Sequence, residues 1–431
     1  MTHKDQKTIR IAMISDHSDP LAPIGGQQAG GICTYLYEMA RALSRLGVKV
    51  DIFTRWDNRK SSQIVRFAER AKVIRLKAGP RHFIFRDKFG PLMPEFVEHF
   101  LEYGRTKKVK YDLVHSHYYY SGWAGMQIKN ILHVPLVHTY HSLGLIKKKA
   151  LGDLDGSPSE RTIIEKNILK LSDLIIVTSP LEKVSILKEY ADLDDKISII
   201  PAGVNLRRFY PIDKKLAKQK MGIAPDKKVI VFAGNMQENK GGKVLIYAIK
   251  EMKRRWPKVF KDLLVLMFSG DPRKSRSKER QEAKLHNELK KMIKDFHLSE
   301  VVKINPGIPQ EKLRYYYGAA ELVVMPSFYE SFGLVAVEAM ATGTPVVASN
   351  VGGLKWIIED GITGYHTEPG DAKGFAKKMA DILKDPELQL RMSENSIIHA
   401  RNNFNWDVMA QRILNEYMSL IDQNKKDGSN A

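Results

Sequence analysis

The sequence ESFGLVAVEAMATGTP, residues 330–345, is the most informative stretch of the chain. The run 333–342 predicts a helix, because Gly343 followed by Pro345 is a typical helix end. This helix would lie between two short apolar runs, which is the arrangement expected in a sheet of parallel strands connected by helices.

Two glutamates belong to this predicted helix and its preceding loop. Glu330 precedes the helix, and Glu338 lies in its second turn. The N–H groups of Phe332, Gly333 and Leu334 have no acceptor within a helix, so they can bind an anion. Two carboxylates beside an anion site suit a ligand with phosphates and hydroxyl groups. Acidic residues also complement the helix dipole, but that explains one glutamate better than both glutamates with the glycine.

Short apolar, β-branched runs alternate with segments of helical period along most of the chain. This rhythm predicts an α/β fold with doubly wound parallel sheets. The predicted strands form two series: 9–15, 50–54, 113–115, 136–139, 174–178 and 197–200, then 229–233, 263–268, 301–304, 322–325 and 345–348.

The chain has 431 residues, which is too long for one ordinary hydrophobic core. We predict an N-terminal domain over residues 1–208 and a C-terminal domain over 209–395. Residues 396–431 are predicted to form a helical tail that packs back on the first domain.

The formal charge of +20, from 69 basic and 49 acidic residues, would attract polyanions. Nucleic acid, an anionic membrane surface and phosphorylated small molecules all fit. No nucleic-acid-binding signature is present, so nucleic acid is not an expected partner. With Cys33 as the only cysteine, an intrachain disulfide is excluded. A cytoplasmic protein is expected, with peripheral contact at the inner face of the membrane as an option; the oligomeric state stays open.

A glycine-rich segment, GGQQAGG at 25–31, lies between the first predicted strand and its helix. Glycines at such a turn let backbone N–H groups approach a phosphate. The segment alone fits a flexible loop equally well, because it is not the GxGxxG pattern.

The chain resembles the retaining glycosyltransferases of family 4, which have the GT-B fold. Glu330 and Glu338 match the E-x7-E element of that family, and the resemblance runs from about Ile9 to about Met418. It is strongest to the branch with sucrose-phosphate synthases and the mycothiol-pathway N-acetylglucosaminyl inositol-phosphate synthase. The shared stretches are 29–31, 114–118, 137–144, 201–205 and 330–345.

This resemblance implies two Rossmann-like domains facing a central cleft, with a C-terminal helix crossing back to the first domain. It implies transfer of a hexosyl group, with retention, from a nucleotide-diphosphate sugar to a phosphorylated sugar or polyol. UDP-glucose is the expected donor. The alternatives are an envelope or polysaccharide transferase that uses UDP-GlcNAc or GDP-mannose at the membrane, and a degenerate binding module.

The resemblance also assigns donor-site roles. Glu338 would hold the ribose hydroxyls, Glu330 the hydroxyls of the transferred sugar, and Lys240 the diphosphate. His141 would face the reacting carbon, whereas His138 is expected to support the core. The expected catalytic residues are His141, Glu330 and Lys240; the other donor contacts are Gly30, Gly31, Asn235, Phe332, Gly333, Leu334 and Glu338.

Asn235 departs from the family pattern, which has an arginine five residues before Lys240. Arginine binds phosphate with a planar fork, whereas lysine is a point charge. Donor binding is therefore expected to be weaker unless another cation, such as Arg273 or Lys274, replaces the arginine.

The acceptor phosphate is expected to bind basic residues of the first domain. The resemblance implies Lys88 and Arg161, with Tyr118 and Ser142 nearby, although ordinary surface charge also explains the two cations. Arg81 and Arg86 lie close to Lys88 in the sequence and compete for its role.

No metal or other cofactor is expected. The pairs Asp153/Asp155 and Asp192/Asp194 match a D-x-D pattern, but they lie in polar connecting segments. Lys240 and helix-terminal amides can neutralise a diphosphate without a divalent cation.

Overall fold

The structure is a computed structural model that describes residues 8–22, 30–152, 158–190, 194–269 and 279–429. The chain forms two compact units. The first contains the described residues up to Ala22, from Gly30 to Pro201 and from Trp406 onward, and the second runs from Ala202 to Asn405.

Within the described residues, the first unit contains an eight-stranded sheet of order β3-β4-β2-β1-β5-β6-β7-β8. All neighbouring strands are parallel except β3 and β4. The strands are β1 Arg10–Ile14, β2 Lys49–Arg55, β3 Ile64–Ala68, β4 Ala71–Leu76, β5 Leu113–His117, β6 Leu136–Thr139, β7 Leu174–Val177 and β8 Ile197–Ile199. Its helices are α1 Gly31–Arg45, α2 Met93–Thr106, α3 Tyr119–Leu132, α4 Gly144–Leu151, α5 Glu160–Leu171 and α6 Pro180–Tyr190.

The second unit contains a six-stranded parallel sheet of order β11-β10-β9-β12-β13-β14 within the described residues. The strands are β9 Lys228–Ala233, β10 Leu263–Ser269, β11 Val302–Pro306, β12 Leu322–Met325, β13 Val346–Ser349 and β14 Gly364–Thr367. The helices are α7 Lys214–Lys220, α8 Gly242–Arg255, α9 Pro257–Phe260, α10 Glu279–Asp295, α11 Gln310–Ala319, α12 Leu334–Ala341, α13 Leu354–Ile357, α14 Ala372–Lys384 and α15 Pro386–Asn403.

All eleven predicted strands are present, and the doubly wound α/β class is confirmed. They were recognisable because helices cover both faces of a parallel sheet, which makes its strands continuous apolar runs. Strands β3, β4 and β14 were missed. Strand β3 is half-exposed at the sheet edge, β4 contains Lys72 and Arg75, and β14 is a four-residue edge strand, so none is an uninterrupted apolar run.

The predicted domain boundary at residues 208 and 209 falls inside the second unit. The N–H of Val204 donates to the carbonyl of Phe404 at 2.6 Å, so both segments that lead into the second unit pair within it. The predicted tail start at residue 396 is also displaced, since α15 continues to Asn403 and packs on α12.

The last helix, α16 Trp406–Ser429, belongs to the first unit. The guanidinium of Arg412 donates to the carbonyl of Ile199 at 2.7 Å, and Ser198 donates to Glu416 at 2.7 Å. The predicted return of the C-terminal helix to the first domain is confirmed, with Trp406 as its first residue.

Candidate active site

Lys240 and Glu330 meet in the second unit. The ammonium of Lys240 donates to Oε2 of Glu330 at 2.5 Å, and both side chains are partly exposed, at 25% and 17%. Lys240 follows β9, and Glu330 lies between β12 and α12, so two neighbouring strands of the sheet bring the pair to the same edge. The structure thus joins two of the three predicted catalytic residues.

Backbone contacts hold the two loops together. The N–H of Phe328 donates to the carbonyl of Asn239 at 2.8 Å. Gly241 has φ of +72°, and a Cβ there would lie 1.9 Å from the carbonyl oxygen of Pro326. Only glycine fits this close approach, so the position of Lys240 depends on the glycine that follows it.

Helix α12 begins at Leu334, four residues after Glu330. Gly333 is its N-cap with φ of +118°, and no side chain caps this end of the helix. A Cβ at Gly333 would lie 2.7 Å from Cδ2 of Leu354. Leu334 is the first residue of the helix, so its N–H has no intrahelical acceptor, whereas Phe332 and Gly333, the other two residues of the predicted anion site, precede the helix.

Glu338 lies inside α12 and is only 6% exposed. One carboxylate oxygen accepts from Nε2 of Gln310 at 2.9 Å, and the other is 3.4 Å from the hydroxyl of Tyr317. Burial and the Glu338 charge raise the pKa of Tyr317 well above its ordinary value, so the hydroxyl stays a donor. Arg208 donates in turn to Gln310. The carboxylate is therefore held in one orientation.

Gln310, Tyr317 and Arg208 are residues that the sequence analysis did not select. They belong to no recognisable motif, and the separation of Gln310 from Glu338 is 28 residues. The packing of α11 against α12 brings Gln310 and Tyr317 to Glu338, and Arg208 then reaches Gln310.

Asn235 is exposed in the loop after β9, where its carbonyl accepts from the N–H of Gln237 at 2.9 Å. Arg273 and Lys274, the predicted replacement cations, lie outside the described residues.

Of the glycine-rich segment, Gly30 and Gly31 are described. Gly30 is the N-cap of α1 and Gly31 is its first residue, and no side chain caps the N-terminus of this helix.

Arg161 is buried in the first unit, with 1% of its side chain exposed. Its Nε lies 2.7 Å from Glu165, and its guanidinium also donates to the carbonyl of Ser142 and, at 3.2 Å, to the hydroxyl of Tyr118. Both carboxylate oxygens of Glu165 accept from the N–H of Gly144 at 3.0 Å. The structure therefore brings Arg161, Tyr118 and Ser142 together, as predicted, and adds Glu165.

Arg86 also approaches Tyr118. The guanidinium carbon of Arg86 lies 5.2 Å from the ring centre of Tyr118, and that of Arg161 lies 4.9 Å from it. Lys88 belongs to the same short 3-10 turn, Arg86–Lys88, but is exposed. The sequence indicated a cationic segment here but could not say which cation faces Tyr118.

His141 follows β6 with a left-handed φ of +58°. Its Nε2 lies 3.0 Å from Nδ1 of His117, and its ring meets the ring of Tyr35 edge-on at 4.8 Å. Burial, with a smaller contribution from His17, lowers the pKa of His141 to about 3, so its imidazole is neutral at ordinary pH. His138 is fully buried and bonded to Ser116 at 2.8 Å, which fits a core histidine.

Of the two D-x-D pairs, Asp153, Asp155 and Asp192 lie outside the described residues. Among the residues that are described, no group of three His, Cys, Asp or Glu side chains is arranged to hold a metal ion. In the same part of the chain, no helix combines the length and the apolar character of a membrane span.

Two family models match the chain. Residues 29–208 match the model described as glycosyltransferase family 4, and residues 213–399 match that described as glycosyl transferases group 1. The D-inositol 3-phosphate glycosyltransferase of Corynebacterium efficiens is 33% identical over 413 residues, 95% of either chain. The chain belongs to the family 4 glycosyltransferases. The D-inositol 3-phosphate glycosyltransferase of Nocardia farcinica is 34% identical to this chain over 419 residues, which cover 97% of this chain and 91% of the relative.

Solved structures agree with this assignment. The sucrose-phosphate synthase from Thermosynechococcus elongatus superposes with a TM-score of 0.88 at 33% identity, covering 96% of this glycosyltransferase and all of that chain. Anabaena HepE in complex with UDP and glucose gives a TM-score of 0.72 at 19% identity, covering 95% and 100% of the two chains, which shows the shared fold. The predicted family and GT-B fold are confirmed, and the chain is a glycosyltransferase.

Proposed function

We propose that this glycosyltransferase moves a hexosyl group, with retention, from a nucleotide-diphosphate sugar to a phosphorylated polyol or sugar, with UDP-glucose as the expected donor. The observation that carries the acceptor class is the pair of guanidinium groups, Arg86 and Arg161, beside the buried ring of Tyr118. Guanidinium forks bind phosphate well, and because Arg161 is ion-paired with Glu165, Arg86 is the cation with which an acceptor phosphate would pair.

The donor half of the proposal rests on the second unit. Glu338, held by Gln310, offers a fixed acceptor for two ribose hydroxyls. Lys240 and the first amides of α12 offer positive charge for a diphosphate, and Glu330 beside them offers a carboxylate for sugar hydroxyls.

The relatives support a phosphorylated acceptor. The Corynebacterium and Nocardia proteins are D-inositol 3-phosphate glycosyltransferases, and the Thermosynechococcus protein is a sucrose-phosphate synthase. Each of these names refers to a phosphate ester. We therefore take inositol phosphate and fructose 6-phosphate as the first acceptors to test.

The test is a matrix of donors and acceptors, read by release of nucleoside diphosphate and by product mass. It compares UDP-glucose, UDP-GlcNAc and GDP-mannose on each acceptor and on its dephosphorylated form. Arg86→Gln is expected to raise the acceptor KM about 10- to 100-fold, the effect of losing one charge-assisted hydrogen bond. Slow hydrolysis of the donor by water should persist, because it needs no acceptor phosphate.

Lys88→Gln is the matched control, since it removes a cation from the same turn. It should leave the acceptor KM near the wild-type value. Preference of the wild type for unphosphorylated acceptors would contradict the proposal. Activity that then depended on anionic lipid would favour the envelope transferase.

The proposal includes catalysis without a divalent metal, because Lys240 and the α12 amides can stabilise the leaving diphosphate. Assays in excess chelator should retain most of the transfer activity. Loss of turnover that magnesium restores would contradict this part and return attention to the D-x-D pairs.

A further inference from the structure

The last helix makes two chains of side-chain contact that end on the ring of His141. One begins at Trp406, whose ring meets Tyr35 edge-on at 5.1 Å; Tyr35 meets His141 edge-on at 4.8 Å. Trp406 and Tyr35 are 3% and 2% exposed, so this contact is rigidly packed. All three rings belong to the first unit.

The second chain of contacts begins at Tyr417. This residue is fully buried, and its hydroxyl lies 2.6 Å from Nδ1 of His115. The rings of His115 and His117 are 4.1 Å apart, as expected for side chains two residues apart on one face of β5. His117 then bonds to His141 at 3.0 Å.

The two hydrogen bonds of the His115 ring fix the position of its proton. Burial raises the pKa of Tyr417 well above its ordinary value, so its phenol keeps a proton that must be donated. The hydroxyl donates to Nδ1 of His115, whose own proton is then on Nε2, where it meets Oγ1 of Thr139 at 3.0 Å.

The surroundings of His117 fix the tautomer of His141. In the described part of the chain, Nε2 of His117 is buried and has no hydrogen-bond partner. A buried lone pair without a partner is tolerated better than a buried N–H without one, so the proton of His117 belongs on Nδ1. His141 accepts that proton at Nε2 and carries its own on Nδ1.

The backbone of His141 needs such support. A left-handed φ is uncommon for a residue with a Cβ and persists where the surroundings impose it. Tyr35 packs on the ring and His117 bonds to it, so both contacts resist rotation of the side chain.

We infer that helix α16 sets the orientation of the His141 ring, with Tyr417 and Trp406 as positioning residues for the transfer step. The inference rests on the proposed role of His141 beside the donor sugar. It assigns the C-terminal helix a part in catalysis in addition to its packing on the first unit.

The test uses the full chain labelled with 15N-histidine, and long-range 1H–15N spectra, which distinguish the two imidazole tautomers. Subtraction of the His141→Asn spectrum identifies the His141 signals. Tyr417→Phe removes only the hydroxyl, and Trp406→Leu removes the edge contact with Tyr35. Either variant is expected to shift the His141 nitrogen signals in the absence of substrate and to lower kcat about tenfold, with the KM for donor little changed.

Ile421→Val is the matched control, since Ile421 is 4% exposed and lies one turn beyond Tyr417 on the same helix. It should change neither the spectrum nor kcat. Thermal melting of each variant confirms that it is folded. Unchanged His141 signals in both Tyr417→Phe and Trp406→Leu would overturn the inference, whatever the activity.

Shifted signals with an unchanged kcat would also overturn it, since positioning would then have no effect on transfer. If the wild type transferred no sugar from any donor, the proposed function would fail separately. The spectra would still report whether α16 sets the state of His141.

Discussion

The ammonium of Lys240 lies 2.5 Å from the carboxylate of Glu330, so these two side chains neutralise each other before any donor binds. A diphosphate and the carboxylate would compete for the same cation. Binding of the diphosphate to Lys240 would therefore release Glu330, which is the residue expected to contact the transferred sugar.

Removing the charge of Glu330 should separate the binding of the diphosphate from the contact with the transferred sugar. In Glu330→Gln, Lys240 loses its anionic partner, so UDP should bind as tightly as in the wild type or more tightly. Transfer from the nucleotide sugar should fall about 10- to 100-fold, because one charge-assisted hydrogen bond to the sugar is lost. Calorimetry with UDP and initial rates with the sugar donor measure the two effects. A joint loss of UDP affinity and rate would contradict this division.

Glu338 is expected to hold the ribose. Glu338→Ala should weaken binding of UDP and GDP alike by about 10- to 100-fold, since a charge-assisted hydrogen bond contributes roughly 1.5–3 kcal/mol. Glu387→Ala is a suitable control, because Glu387 belongs to the same unit but is 90% exposed and is paired with Arg391, at 3.9 Å. Unchanged affinity of Glu338→Ala for every nucleotide would refute the ribose role.

Asn235 offers a gain-of-function test. Asn235→Arg places a phosphate-binding fork where the family has one, and the exposed position lets the larger side chain fit without cost to the fold. Donor affinity should rise by up to about tenfold, as measured by calorimetry. Gln237→Arg adds the same charge two residues away and should have a smaller effect. Equal gains from both variants would mean that net charge, and not the fork at residue 235, is responsible.

The buried histidines of the first unit should make the fold sensitive to acid. Burial lowers the pKa of His115 to about 3 and those of His117 and His138 well below 6.5. Below pH 6.5 the unfolded chain therefore binds protons that the folded chain does not. Their contribution to the free energy of unfolding is fully present above pH 6.5 and is lost as the pH falls toward 3.

Urea unfolding at pH 7.5 and 5.5 measures this loss. His138→Asn keeps a polar atom near Ser116 and should reduce the pH dependence by up to about 1.4 kcal/mol per pH unit. His82→Asn, at an exposed position, serves as the control. An unchanged slope in His138→Asn would contradict a neutral buried His138.

The sequence alone determined the α/β class, eleven of the fourteen strands in the described residues, and the helix with its two glutamates. Buried parallel strands and the end of α12 leave local signals, namely continuous apolar runs and a Gly-x-Pro stop, that need no knowledge of distant residues. The E-x7-E spacing is likewise a property of one continuous segment.

Tertiary structure alone decided which side chains from different strands and helices come into contact. Arg86 and Lys88 are two residues apart and chemically alike, so only the path of their turn against Tyr118 distinguishes them. Gln310 reaches Glu338 across 28 residues, and Tyr417 reaches His115 across 302. Such contacts depend on how helices pack on the sheet, and no local pattern in the chain records them.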